Sequence, residues 1–477
     1  MNKFFDFIIS HSKIYGFIYP SSDIYGGINA VYDYGHYGVG LKNNIKKYWW
    51  KSMTQLHENI IGIDTSILMN TNVWVASGHI KKFNELFIDN KDSNKRYRPD
   101  LLIKNYVDKN ILNDSVRKND ILKRLLYYLE NNKLLKINKL ISELNIKDEI
   151  SKTKNWTRIR FINMMFKIYN ESEDIYLRPE TAQGIFCNFN NVQKSNRMKI
   201  PFGIAQIGKS FRNEIIARQF LFRLREFEQM EMQFFILPKE EKIWYEYWKK
   251  IRLQWHLNLN LGKNLYKLYN HKNLAHYESI GVDIKFNFPF GLKELEGIHS
   301  RRDFDLKRHE LFSKKKLRYF IKDSKKNIIP YVIETSLGLD RMFLAVLSSS
   351  LKKEKIKNNK FRIVLKIPTF LSPIKAAIFP LVKKNNLPKI AKDIFNNLKI
   401  KYPLIYDYKE SIGKLYRRQD AIGTPLCFTI DYNTIETNTI TVRYRDTMKQ
   451  KRIHIKEICN TIEKVTSIEN ILNKISV

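Results

Sequence analysis

The sequence predicts an α+β protein of several domains: a strand-rich core with a helical insertion, followed by a smaller α/β domain. Three observations carry this. Residues 156–350 alternate apolar and polar residues in short runs, the period-two mark of half-buried strands. Residues 84–155 are dense in lysine and asparagine and hold one long amphipathic stretch, ILKRLLYYLENNKLLKINKLISEL, which reads as helix. From about residue 361 strands and helices alternate, as in a small α/β domain.

The elements follow in order. Residues 1–83 open the core, first Gly- and Tyr-rich (YGGINAVYDYGHYGVG), then helical, with LKNNIKKYWWKSMTQL placing apolar residues at helical spacing. The insertion, 84–155, comes next. Within 156–350, IPFGIAQIGKSF reads as a strand, and FRNE and FRLREFEQME flank a short loop as the two sides of a hairpin. The strand IIPYVIE meets the helix LGLDRMFLAVL at a glycine, which puts Arg341 in that helix's first turn. The lysine-rich SSSLKKEKIKNNK (348–360) reads as a linker to the domain 361–477. There FRIVLKI, KAAIFPLV, LIYDY, PLCFTIDY and TITVRYR read as strands; LPKIAKDIFNNLK, YRRQDAIG and KRIHIKEICNTIEKV read as helices.

Composition narrows the function classes. The 477 residues are too many for one ordinary core and suggest about three domains. No run approaches the ~18 apolar residues that span a bilayer, and the N-terminus lacks a signal-peptide pattern. Three widely separated cysteines (Cys187, Cys427, Cys459) exclude a disulfide scaffold or a zinc cluster and favour a reducing cytosol. The net charge of +36 and pI near 9.8 favour a polyanionic partner. Part of that charge is discounted, because Lys, Asn and Ile are used everywhere, as an AT-rich genome would impose.

One phosphate motif fails its context. Gly203 to Ser210, GIAQIGKS, matches the P-loop pattern letter for letter. A P-loop needs a turn between a buried strand and a helix, so that successive N–H groups face phosphate. Here the variable residues prefer a strand and no helix start follows. The denser constellation lies downstream. On the second side of the hairpin Arg223, Arg225, Phe227, Gln229 and Glu231 share one face; on the first, Arg212 and Glu214 do. Guanidinium forks suit phosphate oxygens and an aromatic ring suits a purine. The other face is also partly apolar, so both look covered, and buried arginines need anionic partners. Two further clusters are Lys293-Glu294-Leu295-Glu296-Gly297-Ile298, with Arg301 and Asp303 behind it, and Glu334-Thr335-Ser336-Leu337-Gly338-Leu339-Asp340-Arg341.

Together and in this order these segments resemble the class II aminoacyl-tRNA synthetases, and specifically the glycyl-tRNA synthetases of the single-chain, homodimeric type. GFIYPSSDIYGG resembles the family's N-terminal signature, DYGHYGVGLKNNIKKYWW its motif 1 region and LRPETAQGIF (177–186) a further signature. FRNE with REFEQME resembles motif 2, ELEGIHSRRDFDL the glutamate-and-arginine segment and ETSLGLDR motif 3. GKLYRRQDAIGTP and TVRYRD resemble the anticodon-binding domain. The resemblance runs from about residue 14 to the C-terminus. Departures are His36 in motif 1 and Thr335 in motif 3 where Pro is usual, and Leu415 and Ala421 where a basic and an acidic residue are common. Asn90 and Ser93 stand where many relatives carry a Cys pair, so no zinc is expected.

The resemblance implies a class II antiparallel-sheet catalytic domain, a C-terminal α/β anticodon-binding domain and a cytoplasmic homodimer. It implies a glycine–tRNA ligase chemistry, in which glycine and ATP form glycyl-adenylate and glycine then passes to the 3′ end of tRNA(Gly). ATP would meet Arg212 (α-phosphate), Asn213, Glu214 (adenine amine), Phe222, Arg225, Phe227 (adenine stacking), Leu295, Gly338 and Arg341 (γ-phosphate), with Glu294 holding Mg²⁺. Arg212 and Arg341 are the expected catalytic residues. Glycine's ammonium would meet Glu180, Glu231, Glu334 and Ser336, beside Phe227, with Arg301 and Arg98 on its carboxylate. Lys414, Arg417 and Arg418, with Tyr416, Arg443 and Arg445 nearby, would face tRNA. Two rivals are disfavoured: a catalytically inactive RNA-binding relative, because the phosphate arginines and pocket glutamates are all present, and a P-loop ATPase, for the reason above.

Overall fold

The computed structural model describes residues 3–112, 114–168, 174–215, 219–271, 279–356 and 360–475. They fall into two compact units, one of residues 1–66, 180–210 and 219–477, the other of residues 67–179 and 211–218.

Strand-forming runs in the first unit assemble a seven-stranded sheet. Its strands are β1 (Ile60–Gly62), β2 (Phe202–Phe211), β3 (Glu226–Ile236), β4 (Tyr266–Asn270), β5 (Ile280–Phe288), β6 (Gly291–Arg302) and β7 (Tyr331–Gly338), in the spatial order β4, β5, β6, β7, β3, β2, β1. The neighbours from β4 through β7 to β3 are antiparallel, and β1 runs parallel to β2. One face is apolar and covered by α1 (His36–Thr54), α2 (Glu241–Leu257) and α3 (Leu339–Ser350). Period-two alternation sends Met230, Met232 and Phe234 of β3 into this core, beside Trp49, Trp248, Trp255 and Phe343. The same alternation sends Gln229, Glu231 and Gln233 to the other face, where they too are buried.

The P-loop-like residues 203–210 lie inside β2, as their composition predicts. A Cβ on Gly203 would fall 2.9 Å from Ile60 Cγ1, so that glycine serves strand packing. The hairpin differs from expectation at its ends. β2 stops at Phe211 and β3 starts at Glu226, so Arg212, Glu214, Arg223 and Arg225 lie off the strands. A 3₁₀ turn at Phe220–Phe222, entered through Gln219 and Phe220 at φ 73° and 55°, breaks the alternation there.

The C-terminal part of this unit has its own five-stranded mixed sheet and a core that includes Ile378, Phe428, Val442 and Ile462. The helix α4 (Ile412–Ile422) lies within it. Two sequence readings are corrected. The 348–360 stretch is no linker: 351–355 is a strand paired with 361–365, and Arg362 is buried in ion pairs with Glu354 and Asp420. Residues 451–454, the first four of KRIHIKEICNTIEKV, lie in the strand Gln450–His454, and the α-helix begins at Ile458.

In the second unit a three-stranded sheet (84–89, 96–97, 160–163) packs with three helices (99–110, 115–130, 134–143) around Ile103, Val107, Ile121, Leu125, Ile137 and Leu140. The unit is therefore α+β and wider than the 84–155 helical insertion read from sequence. The amphipathic stretch is two helices, broken where Asn132 turns left-handed at φ 51°. Asn90 stands at the expected cysteine position and closes a hydrogen-bonded turn instead. Its Oδ1 accepts from the N–H groups of Asp92 and Ser93 at 3.1 Å each and from Ser151 Oγ at 3.0 Å.

Candidate active site

Strand register places the predicted pocket residues of the first unit in two adjacent rows on one sheet face. Glu231 pairs with Ser336, Ser336 with Gly297 and Gly297 with Asp283. In the next row Gln233 pairs with Glu334, Glu334 with His299 and His299 with Gly281. Antiparallel pairing of β3 with β7 thus brings Glu231, Glu334 and Ser336 together.

Donors surround Glu231. Ser336 Oγ donates to its Oε1 at 2.7 Å and Gln229 Nε2 at 3.0 Å, while the backbone N–H (3.1 Å) and hydroxyl of Thr181 donate to Oε2. No full cation is among these partners, and burial together with the charges of Glu334 and Glu180 pushes this carboxyl up to about 7. Glu334 behaves oppositely. Burial opposes its ionisation too, but Arg301 and His299 outweigh it and hold its carboxyl below the usual range. Arg301 Nη1 donates to both Glu334 oxygens, at 3.1 and 3.2 Å. Its Nε and Nη2 donate to Asp305 at 2.7 and 2.9 Å, and Glu180 lies 3.9 Å away.

Arg301 was expected to hold the substrate carboxylate. It is 2% exposed and engaged by Asp305 and Glu334, so it neutralises the carboxylates behind the pocket. Asp305 was not foreseen, although its place four residues after Arg301 was visible. Asp303, noted in the sequence, instead pairs with Lys307. Gln183, also unforeseen, donates to Glu180 Oε1 at 2.8 Å and Asp305 Oδ1 at 3.1 Å, so Glu180 is tied to the same network.

A second group gathers at the N-terminus of α3, where Gly338 is the N-cap residue. Arg341 lies with its guanidinium 4.5 Å from the Phe222 ring centre and pairs with Glu294 at 3.2 Å. Leu295 is buried in the core, so only its backbone can meet a ligand. Phe227 opens the polar-facing row of β3 and is partly buried. Arg225 is fixed through its backbone N–H to Ala30 O at 3.1 Å. Beneath them sits a network that sequence reading missed. Buried Asp340 accepts from Tyr34 Oη and, at 2.8 Å, from the Glu228 backbone N–H, while Lys42 and Lys46 of α1 pair with Glu228 at 3.5 and 2.5 Å. This pins motif 1 to the segments carrying Phe227 and Arg341.

Arg212, Asn213, Glu214 and Arg98 belong to the second unit. Arg212 donates through Nε to Pro179 O at 3.1 Å, with its guanidinium 5.5 Å from the Phe83 ring centre. Asn213 is held by its N–H on Met164 O at 2.7 Å, and Glu214 is buried. Arg98 pairs with Asp100 at 2.9 Å and Glu85 at 3.4 Å. On α4, Lys414, Arg417 and Arg418 are exposed, as expected of a nucleic-acid face. Arg443 and Arg445 are not available to it. Arg443 is bidentate to Asp420 at 2.8 and 2.9 Å, and buried Arg445 donates to the carbonyls of Gly423 and Ile367.

Comparison with known proteins decides the family. The chain is 45% identical to a glycine–tRNA ligase from Chlorobaculum tepidum, over 96% of this chain and 98% of that one. It is 47% identical to one from Staphylococcus aureus, again over 96% and 98%. The chain belongs to the glycine–tRNA ligases. Family models add detail: a tRNA synthetase class II core domain (G, H, P, S and T) matches residues 165–350, a glycyl-tRNA synthetase insertion domain 105–164, and an anticodon binding domain 375–465. Among solved structures, a threonyl-tRNA synthetase structure from Cryptosporidium parvum covers 96% of this chain and 97% of its own, at TM-score 0.64 and 14% identity. A prolyl-tRNA synthetase from the same organism covers 99% and 79%, at TM-score 0.59 and 13% identity. At those identities the likeness is one of fold. As a glycine–tRNA ligase, the chain is a class II aminoacyl-tRNA synthetase, and no described helix is long and apolar enough to cross a membrane.

Proposed function

We propose that the carboxylate rows on β3 and β7 select glycine by its ammonium group. The observation that carries this is Glu231, a buried carboxyl ringed by neutral donors with no cation among its partners in the described residues, beside Glu334, which Arg301 already pairs with. An ammonium supplies the missing charge and takes charge-assisted hydrogen bonds. Glycine has no side chain to grip, so crowding around that ammonium selects it by exclusion.

In the first step the glycine carboxylate attacks the α-phosphorus of ATP, forming glycyl-adenylate as the bond to the β-phosphate breaks and pyrophosphate leaves. Both reactants are anionic, so the rate depends on positioning and on cations aimed at the charge that develops. Arg212 takes the α-phosphate and Arg341 the γ-phosphate; Phe227 stacks on adenine, and Glu214 reads its amine. Mg²⁺ fits this chemistry: Glu294 offers hard carboxylate oxygens, is about half exposed and pairs with Arg341. When bound it would supply charge neutralisation on the phosphates. In the second step glycine moves to the terminal ribose of tRNA(Gly), whose anticodon end would meet Lys414, Arg417 and Arg418. The setting is the cytoplasm and the assembly a homodimer; Ile24, Tyr25 and Ile28, at 89%, 86% and 52% exposure, form an apolar stretch suited to a partner surface.

Glycine-dependent ATP–pyrophosphate exchange tests the reading. Arg212→Ala should fold and lose about 10²-fold in rate, and alanine should be rejected by the unaltered enzyme. Exchange with alanine as efficient as with glycine would overturn the pocket assignment.

A further inference from the structure

The two rows continue past the glycine pocket to a cluster of which only His299, through Glu334, enters the chemistry above. His271 follows β4, and its N–H bonds to Gly281 O at 3.0 Å, so His271, Gly281 and His299 stand side by side across β4, β5 and β6. Asp283 stands in the adjoining row between Tyr269 and Gly297. Successive pleats carry all three side chains to one face. His271 Nε2 lies 2.8 Å from Asp283 Oδ1, the two imidazole rings are 5.2 Å apart, and one donor atom from each of the three residues lies within 4.8 Å of the others.

Glycines make room for this convergence. A Cβ on Gly297 would sit 2.5 Å from His299 Cε1, so only glycine lets that ring lie over β6 next to Asp283. Gly281, between the two histidines, likewise puts no side chain into the space they share.

We propose that His271, Asp283 and His299 form a binding site for a first-row divalent transition metal, with zinc as the natural occupant. Two imidazoles and a carboxylate are the donor set that zinc prefers over magnesium or calcium, which take oxygen ligands. Zinc bonds of about 2.0–2.2 Å place ligand atoms roughly 3.4 Å apart in a tetrahedron, reached here by small side-chain rotations. The outer shell is also present. His299 Nδ1 faces Glu334 Oε2 at 3.5 Å, and a ligating histidine characteristically turns its second ring nitrogen toward a carboxylate, which fixes the tautomer and leaves Nε2 for the metal. The ion would thus brace the histidine flanking Glu334. Glu294, proposed above for the metal carried by ATP, is not among the three ligands, and the assignment does not depend on which amino acid is activated.

The test uses the full-length protein, stripped by a chelator and kept free of ATP. Zinc is titrated against a competing chromophoric chelator, and cobalt is added separately for its visible d–d bands. The expected result is one equivalent of zinc per chain, a four- or five-coordinate cobalt spectrum, and a loss of roughly 10²-fold or more in affinity for His271→Ala. Far-UV circular dichroism checks the fold, and His271→Gln replaces the alanine variant if that fails to fold. Absence of chelator-competitive zinc binding, or binding that neither substitution weakens, overturns the site.

Discussion

The catalytic sheet buries a carboxylate on each of its faces, and the two are treated oppositely. Glu296, on the face covered by α2, receives Arg252 Nε at 2.6 Å and Nη2 at 3.2 Å and has His256 Nε2 at 2.6 Å. Burial raises its cost, yet these partners hold its carboxyl at about 2. Glu231, on the polar face, is just as buried and sits at about 7 because its neighbours are neutral donors and other carboxylates. Glu296 is fully answered within the fold; on the proposed reading Glu231 is left short of a charge that the substrate brings. Both sit on strands, and only the partners across space distinguish them.

The largest effect should come from the satisfied side. Glu296→Ala strands Arg252 in the core, and breaking a buried pair in this way costs about 3–5 kcal/mol. Denaturant unfolding should show it at pH 7. A loss below 1 kcal/mol would mean that the pair contributes little and the contrast is overdrawn. Glu231→Gln should do the reverse. The folded-state value near 7 lies above the unfolded 4.5, so the stability this group contributes is full below 4.5 and is lost as pH rises through 7. The glutamine variant should therefore be more stable than the parent at pH 8, by about 1–3 kcal/mol, and the gain should vanish near pH 4.5.

Next in size is activity. Glu231→Ala removes the carboxylate and should lower glycine-dependent pyrophosphate exchange on the order of 10²-fold, the value of one charge-assisted hydrogen bond at a buried site. Equal exchange rates would place the ammonium elsewhere.

These contrasts also show what a sequence can and cannot disclose. The strand–glycine–helix junction at Gly338, the β2 strand in place of a P-loop and the exposed face of α4 are local patterns, so period and turn chemistry suffice to find them. That Glu231, Glu334 and Ser336 lie together was anticipated through motif order and is what the strand register gives. That Arg301 is used up by Asp305 and Glu334, or that Arg443 belongs to Asp420, depends on which residue lies opposite, and no local pattern encodes that. The same limit hid the 351–355 strand. Its lysines read as a solvated linker, yet its partner lies at 361–365, so a cut near residue 360 would split a hairpin. A separation of the anticodon-binding part belongs nearer residue 374, just before the matched segment at 375.

A subtler effect is the pH profile of glycine binding. Only ionised Glu231 attracts an ammonium, so unliganded enzyme must release a proton to bind when pH lies below about 7. The apparent KM for glycine should fall as pH rises from 6 toward 7.5, by up to about tenfold per unit at the acid end. The same measurement on Glu231→Gln should give a flat line. A parent profile without slope would show that Glu231 stays ionised unliganded and that its contrast with Glu296 is smaller than the geometry implies.

The smallest effect sharpens the comparison in the C-terminal part, where the same residue type is again split between two duties. Arg443 and Arg445 are buried and spoken for, whereas Lys414, Arg417 and Arg418 project from α4 into solvent. Lys414 pairs with Glu410 at 3.0 Å, a contact so exposed that it adds little stability. Lys414→Ala, Arg417→Ala and Arg418→Ala together should therefore leave the melting temperature within a degree or two and glycine activation unchanged. What they should change is tRNA binding: each lost phosphate contact removes about 0.7–0.9 from the slope of log affinity against log salt, so the triple variant should lose about 2–3. Arg443→Ala should do the opposite, lowering stability by exposing Asp420 to a broken pair while altering the salt slope little beyond what unfolding explains. If the triple variant kept the full salt slope, the tRNA-facing charge would have to lie on another surface of this strongly basic chain.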